Sequence, residues 1–166
     1  MWKFALTAFG GSFTNVKASE LGAVTAEEAL KRSKVDPEQV DHIIYGNVIS
    51  SETNAAYIAR HIGLNIGVPK EVPAYILNRL CGSGLQSIVS GAHEILLNDA
   101  DIVLAGGVEN MSQAPYSNFD KRFGGSKLGE LKFHDMLTAS LFDEYTGAGM
   151  GVTAENLAEK YEISRE

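Results

Sequence analysis

Apolar and polar positions along this chain follow two rhythms, one of helical period and one of short β-branched runs, which alternate up to residue 107. "SELGAVTAEEALKRSKV" (19–35) has helical character and is expected to end at Asp36-Pro37, since proline cannot continue a helix. "HIIYGNVI" (42–49) predicts a strand. "NAAYIARHIGL" (54–64) predicts a short helix with Ala56, Ile58, Ala59 and Ile62 on one face. "PAYILNRL" (73–80) predicts a second strand. A helix of about 15 residues follows, with Leu85, Ile88, Val89, Ala92, Ile95 and Leu96 at helical spacing. "NDAD" (98–101) breaks it, and "IVLAGG" (102–107) predicts a third strand.

Strand, helix and strand joined by short connections make a βαβ unit. That implies a parallel, buried sheet with right-handed crossovers, so the fold class is layered α/β. The texture changes after residue 112. "SQAPYSNFDKRFGGSKLGELKF" has no clear period and reads as a loop excursion or an oligomer contact. "VTAENLAEKY" (152–161) predicts a last helix, with Thr153 as its N-cap. The expected division is an α/β core over 1–112 and a loop subdomain beginning at 113–166.

Composition narrows the class of function. Apolar residues are 45% of the 166 and charged residues 21%, as in an ordinary globular domain. The formal charge of −7 disfavours nucleic acid and anionic membranes as partners. No apolar stretch reaches the roughly 18 residues of a membrane span, and "FALTAF" (4–9) is too short for a secretory signal. A single cysteine cannot form an internal disulfide or a cysteine-rich metal site, so a free thiol and a cytoplasmic location are expected.

That cysteine, Cys81, lies at the predicted strand-to-helix seam, in "NRLCGSGLQS" (78–87). The positive end of a helix stabilises a thiolate, and the small residues Gly82, Ser83 and Gly84 leave room for an acyl group. A backbone N–H of the same turn could donate to an oxyanion. A buried structural cysteine is the competing reading, and spacing alone leaves the two open. His42, His61, His93 and His134 have no ligand spacing and read as packing or surface residues, so no metal is expected. A cysteine hydrolase built on His134 lacks an orienting acid. "GAGMG" (147–151) breaks the dinucleotide fingerprint at Val152. Glu109 and Asn110 either line a site at the end of the third strand or form a turn.

"NRLCGSGLQS", "VLAGGVENMSQAPYS", "RFGGSKLGE" and "MGVTAENLAEKYEISRE", in that order, resemble the N-terminal half of thiolases. These enzymes make or cleave 3-ketoacyl-CoA. The resemblance runs from about residue 10 to the end and implies one half of a layered thiolase-type fold, with a mixed, mostly parallel sheet and helices on its faces. Within the family, "YIARHIGLNIGVPKEVPAYILNRLCGSG" leans toward the 3-ketoacyl-CoA thiolases of fatty-acid breakdown.

The resemblance implies that Cys81 carries the acyl group and that its backbone N–H serves an oxyanion hole. Met150 and Gly149 are implied to line the pantetheine channel; many relatives have a histidine at the position of Gly149. Coenzyme A and acyl-CoA enter as substrates, with no permanently bound cofactor. The implied partner is a second copy of the chain, as dimer or tetramer, or a C-terminal thiolase half. Leu6-Thr7-Ala8 stand where the family carries an arginine-containing turn, so an altered sheet edge is expected there. The family's second half, with its Asn-Glu-Ala-Phe stretch, its Gly-His-Pro histidine and its second cysteine, has no equivalent in these residues. The expectation is a nucleophile-bearing half that needs that complement for full activity. The alternative is an inactive fragment acting as an assembly subunit.

Overall fold

The computed structural model describes residues 6–125 and 127–165. The chain forms two compact units, 1–113 and 114–166. The first unit is built on three parallel strands, β1 (His42–Gly46), β2 (Ala74–Leu77) and β3 (Val103–Gly107). Their order is β2-β1-β3, with Ile44 opposite Tyr75 on one side and Ala105 on the other. Three helices cover the sheet, α1 (Ala18–Ser33), α2 (Ile58–Asn65) and α3 (Ser83–Leu96). The chain steps from β1 to β2 in one direction and from β2 past β1 to β3 in the other. Right-handed crossovers therefore place α2 and α3 on opposite faces.

The side chains of β1 agree with this alternation. Ile43 points at α2, where an added Cβ on Gly63 would lie 2.2 Å from Ile43 Cδ1. Gly46, on the other face, backs onto Ser83 at the start of α3. The main apolar core lies on the α1/α2 side and contains Ala26, Leu30, Ile43, Tyr45, Ile58, Ile62 and Leu104. Of the face predicted over 54–64, Ile58, Ala59 and Ile62 are buried, whereas Ala56 is exposed because it lies in a short 3-10 turn at Ala55–Tyr57 ahead of the helix, where Ala55 is buried instead.

The apolar stripe of α3 does not face the sheet. Ser83, Ser87 and Gly91 are the buried residues of the helix, one turn apart, while Leu85 is 70% exposed, Ile88 53% and Leu96 76%. Small residues let helix and sheet approach closely. A Cβ on Gly91 would come within 2.9 Å of Val103 Cγ1, and one on Gly107 within 3.3 Å of the Gly84 Cα. The apolar stripe of α3 is thus an outer face, uncovered among the described residues.

Helix ends also differ from expectation. The first helix stops at Ser33, before Asp36-Pro37. Lys34 takes a left-handed φ of 56°, and the Val35 N–H returns to the Leu30 carbonyl. Pro37 instead opens a 3-10 turn (Pro37–Gln39) with Asp36 and Gln39 as a reciprocal capping box. The third helix ends as "NDAD" implies, with Asn98 left-handed and the Asp99 N–H on the Glu94 carbonyl.

The second unit is made of short pieces. Two antiparallel strand pairs, β4 (Tyr116–Ser117) with β5 (His134–Asp135) and β6 (Phe142–Asp143) with β7 (Ala148–Gly149), flank α4 (Met136–Ser140). The last helix, α5 (Met150–Tyr161), starts two residues before the predicted 152. Thr153 is consequently not its N-cap but lies within the first turn, its hydroxyl donating to the Gly149 carbonyl at 3.4 Å.

Candidate active site

The loops that leave the carboxyl ends of three parallel strands meet above the sheet, where layered α/β folds hold ligands. One of them, residues 78–82, carries Cys81 from β2 into α3. Its path is fixed by side chains on either side of the cysteine. Asn78 Oδ1 accepts the Leu80 N–H at 2.9 Å. Ser83 Oγ accepts the Arg79 N–H at 2.8 Å and donates to the Leu80 carbonyl at 2.7 Å. Further bonds run from the Gly82 N–H to the Arg79 carbonyl and from the Ser83 N–H to the Leu80 carbonyl. The Arg79 guanidinium pairs with Gln86 on the first turn of the helix.

Leu80 occupies the left-handed region at φ 49°. A branched side chain without local polar atoms has no reason of its own to be there, so the fold imposes it. Cys81 follows at once and is an exposed free thiol in this chain. It sits just ahead of the helix, whose N-cap is Gly82.

The neighbouring loops are stapled by Glu109. Its carboxylate accepts the Val48 N–H at 2.9 Å, the Ile49 N–H at 2.9 Å and the Asn47 side-chain amide at 3.0 Å. Burial raises its pKa above the ordinary 4.5, against the opposing pull of the two backbone donors. Asn78 links this staple to the cysteine loop through a long contact to the Val48 carbonyl, 3.4 Å. Asn110 is a buried clamp: its side-chain amide donates to the Phe13 and Val16 carbonyls. Both residues are held in structural roles. A cleft of about 340 Å³ opens beside Glu109, lined by Phe13, Leu21, Val108 and Met111 among others, but Cys81 is not in its wall.

The histidines stand apart from this arrangement. His42, at the opposite end of β1, has Nδ1 3.7 Å from a Glu94 carboxylate oxygen and its ring edge on Tyr75. His61 stacks on Tyr57, and His93 is in the last turn of α3, far along the helix from Cys81. In the second unit His134 packs edge-on against Phe119. Among the described residues no three His, Cys, Asp or Glu side chains converge as a metal site. Also in the second unit, Gly149 is the N-cap of α5 and Met150 its first residue, 44% exposed. Sequence reading missed Asn78 and Ser83 as the residues that shape the cysteine loop, and for Glu109 it left a site and a turn equally open. Ser83 two residues after the cysteine was the one visible signal.

A parallel α/β layer presenting an exposed thiol ahead of its third helix defines the class. The chain belongs to the thiolase family, matching the thiolase N-terminal domain over residues 2–166. It is 54% identical over 160 residues to the mitochondrial 3-ketoacyl-CoA thiolase of Rattus norvegicus and 46% identical over 161 to a beta-ketothiolase of Cupriavidus necator. The crystal structure of human mitochondrial 3-ketoacyl-CoA thiolase in complex with CoA superposes with a TM-score of 0.90 at 49% identity, over 95% of this chain. The fold is accordingly that of a thiolase half. The chain spans 40% of the length of the rat relative, 41% of the Cupriavidus one and 40% of the human structure. No described helix is long and apolar enough to cross a membrane.

Proposed function

We propose that this chain carries the nucleophile of a thiolase-class acyltransferase acting on 3-ketoacyl-CoA, acetoacetyl-CoA or longer. In the cleavage direction the Cys81 thiolate adds to the 3-keto carbonyl. The bond between C2 and C3 then breaks, the electron pair leaves on C2, and protonation there releases acetyl-CoA. The acyl group remains on Sγ as a thioester until the thiolate of a second coenzyme A attacks it and expels Cys81. Thiolate suits both steps because it is a good nucleophile and a good leaving group. The Cys81 N–H serves the oxyanion, and Met150 and Gly149 line the pantetheine path.

The observation that carries the reading is the exposed thiol held at the carboxyl end of a parallel sheet by a fixed loop, in a chain of this family. None of the three histidines of the first unit lies near enough in the topology to take the Cys81 proton. Full turnover therefore requires groups supplied by a C-terminal thiolase half, whether covalently continuous or separate. The lone thiol suits a reducing compartment, the cytoplasm on composition or the mitochondrion as in the rat relative's name.

The outer face of α3 favours a second reading, an assembly subunit in which Cys81 is idle: Leu85, Ile88 and Leu96 are all more than half exposed. Incubation with acetyl-CoA followed by intact-mass measurement separates the two. A single acetyl group lost in Cys81→Ser supports the acyltransferase. No acetyl group, with or without a C-terminal thiolase half, supports the assembly subunit.

A further inference from the structure

Ser83 and Asn78 grip the one strained residue of the cysteine loop from opposite sides. Leu80 is left-handed at φ 49° and its side chain is 59% exposed, so packing does not hold it there. Its N–H is taken by Asn78 Oδ1 and its carbonyl by both the Ser83 N–H and Ser83 Oγ, the latter also holding the Arg79 N–H. Ser83 is itself anchored, 5% exposed, with its backbone against Gly46 of the central strand. Strain of this kind persists only where surrounding bonds over-determine it.

We propose that Ser83 and Asn78 are positioning residues for Cys81: they hold Leu80 left-handed, and that single backbone conformation aims the thiol out of the loop. The proposal rests on the acyl-transfer reading for its purpose but not for its geometry. Ser83 touches no reacting atom. Its hydroxyl replaces the bonds that an extended 79–80 peptide would make elsewhere, and without it Leu80 relaxes toward negative φ and swings Cys81 away. Glycine adopts the left-handed conformation without the steric penalty of leucine. A glycine at 80 therefore removes the need for the serine grip, an outcome that a purely stabilising serine would not produce.

The test is a double-variant cycle on the full chain, comparing Ser83→Ala, Leu80→Gly and the combined variant with the parent. Two reactions are followed, alkylation of Cys81 by iodoacetamide and acetyl transfer from acetyl-CoA by intact mass, with urea unfolding recorded beside them. Ser83→Ala is expected to slow the Cys81 reactions about tenfold, and adding Leu80→Gly to recover at least about threefold of that loss. Should Ser83→Ala fail to fold, Asn78→Ala takes its place, since Asn78 is exposed and its loss also frees the Leu80 N–H. A serine or asparagine variant that reacts at the parental rate overturns the proposal, as does a combined variant no faster than its parent single. If the parent accepts no acetyl group while the alkylation series shows the rescue, the acyl-transfer reading fails and the positioning role stands.

Discussion

Gly46 and Ser83 touch backbone to backbone: a Cβ built on Gly46 would lie 2.7 Å from the Ser83 carbonyl carbon. The central strand thus sets the height of α3 and, through Ser83, the loop that carries Cys81. Gly46→Ala is expected to destabilise the first unit by about 2–3 kcal/mol, in the range of an overpacked core, because the new Cβ would strike the Ser83 carbonyl and Cβ, neither of which can swing aside. Urea unfolding measures the loss, and the alkylation rate of Cys81 should fall with it. A variant of unchanged stability would mean that strand and helix can separate without cost.

The two faces of α3 give opposite outcomes to substitution. Ser87 is fully buried, its Oγ within hydrogen-bond distance of both the Gly84 and the Gly106 carbonyls, which share its single O–H. Ser87→Leu is expected to cost at least about 2 kcal/mol, from overpacking and lost bonds together. Ile88→Gln, on the outer face, should stay within about 0.5 kcal/mol. The same outer face predicts self-association of the isolated chain. Leu85→Glu with Leu96→Lys should move it toward monomer in size-exclusion chromatography, and a parent already monomeric at high concentration would contradict this.

Glu109 predicts an inverted pH effect. Its folded pKa lies above the ordinary 4.5 because burial disfavours the charge. The folded state therefore holds the proton more tightly than the unfolded one. Stability from this group is present below 4.5 and declines as pH rises through the folded value. Glu109→Gln should flatten that slope in urea unfolding between acidic and neutral pH. It should also cost about 1–3 kcal/mol throughout, because an amide offers one acceptor oxygen where three donors converge. An unchanged slope would remove Glu109 as its origin.

In the second unit the sign is the ordinary one. The Thr138 hydroxyl, and after it the Leu137 N–H, hold Asp135 below the usual 3.8, while the Thr146 hydroxyl and the Tyr145 N–H do the same for Asp143. Their contribution is complete above 3.8 and is lost as pH falls through the folded values. Acid titration of the full chain by amide NMR should show the turns at 135–138 and 143–146 loosening below that point. Asp135→Asn and Asp143→Asn should remove the pH dependence of the corresponding turn.

The βαβ order, the three parallel strands and the placement of Cys81 were all legible, because β-branched runs and helical spacing report burial directly. The orientation of α3 was not. Periodicity shows only that a helix has two unlike faces. In this helix the close approach of Ser83, Ser87 and Gly91 to the sheet decides which one turns inward. The stop of α1 at Ser33 was equally hidden, since Lys34 gives no compositional hint of a left-handed turn. Asn78 and Ser83 looked like ordinary loop residues because a bond to a neighbouring peptide leaves no period in the sequence.

Asn110 reaches back to the carbonyls of Phe13 and Val16, and Gln113 to that of Thr14, nearly a hundred residues earlier in the chain. During synthesis these carbonyls emerge from the ribosome long before the amides that satisfy them. The bonds from Asn110 and Gln113 to the segment leading into α1 can therefore close only after β3 has been made, so these long-range ties are among the last in the first unit to be fastened.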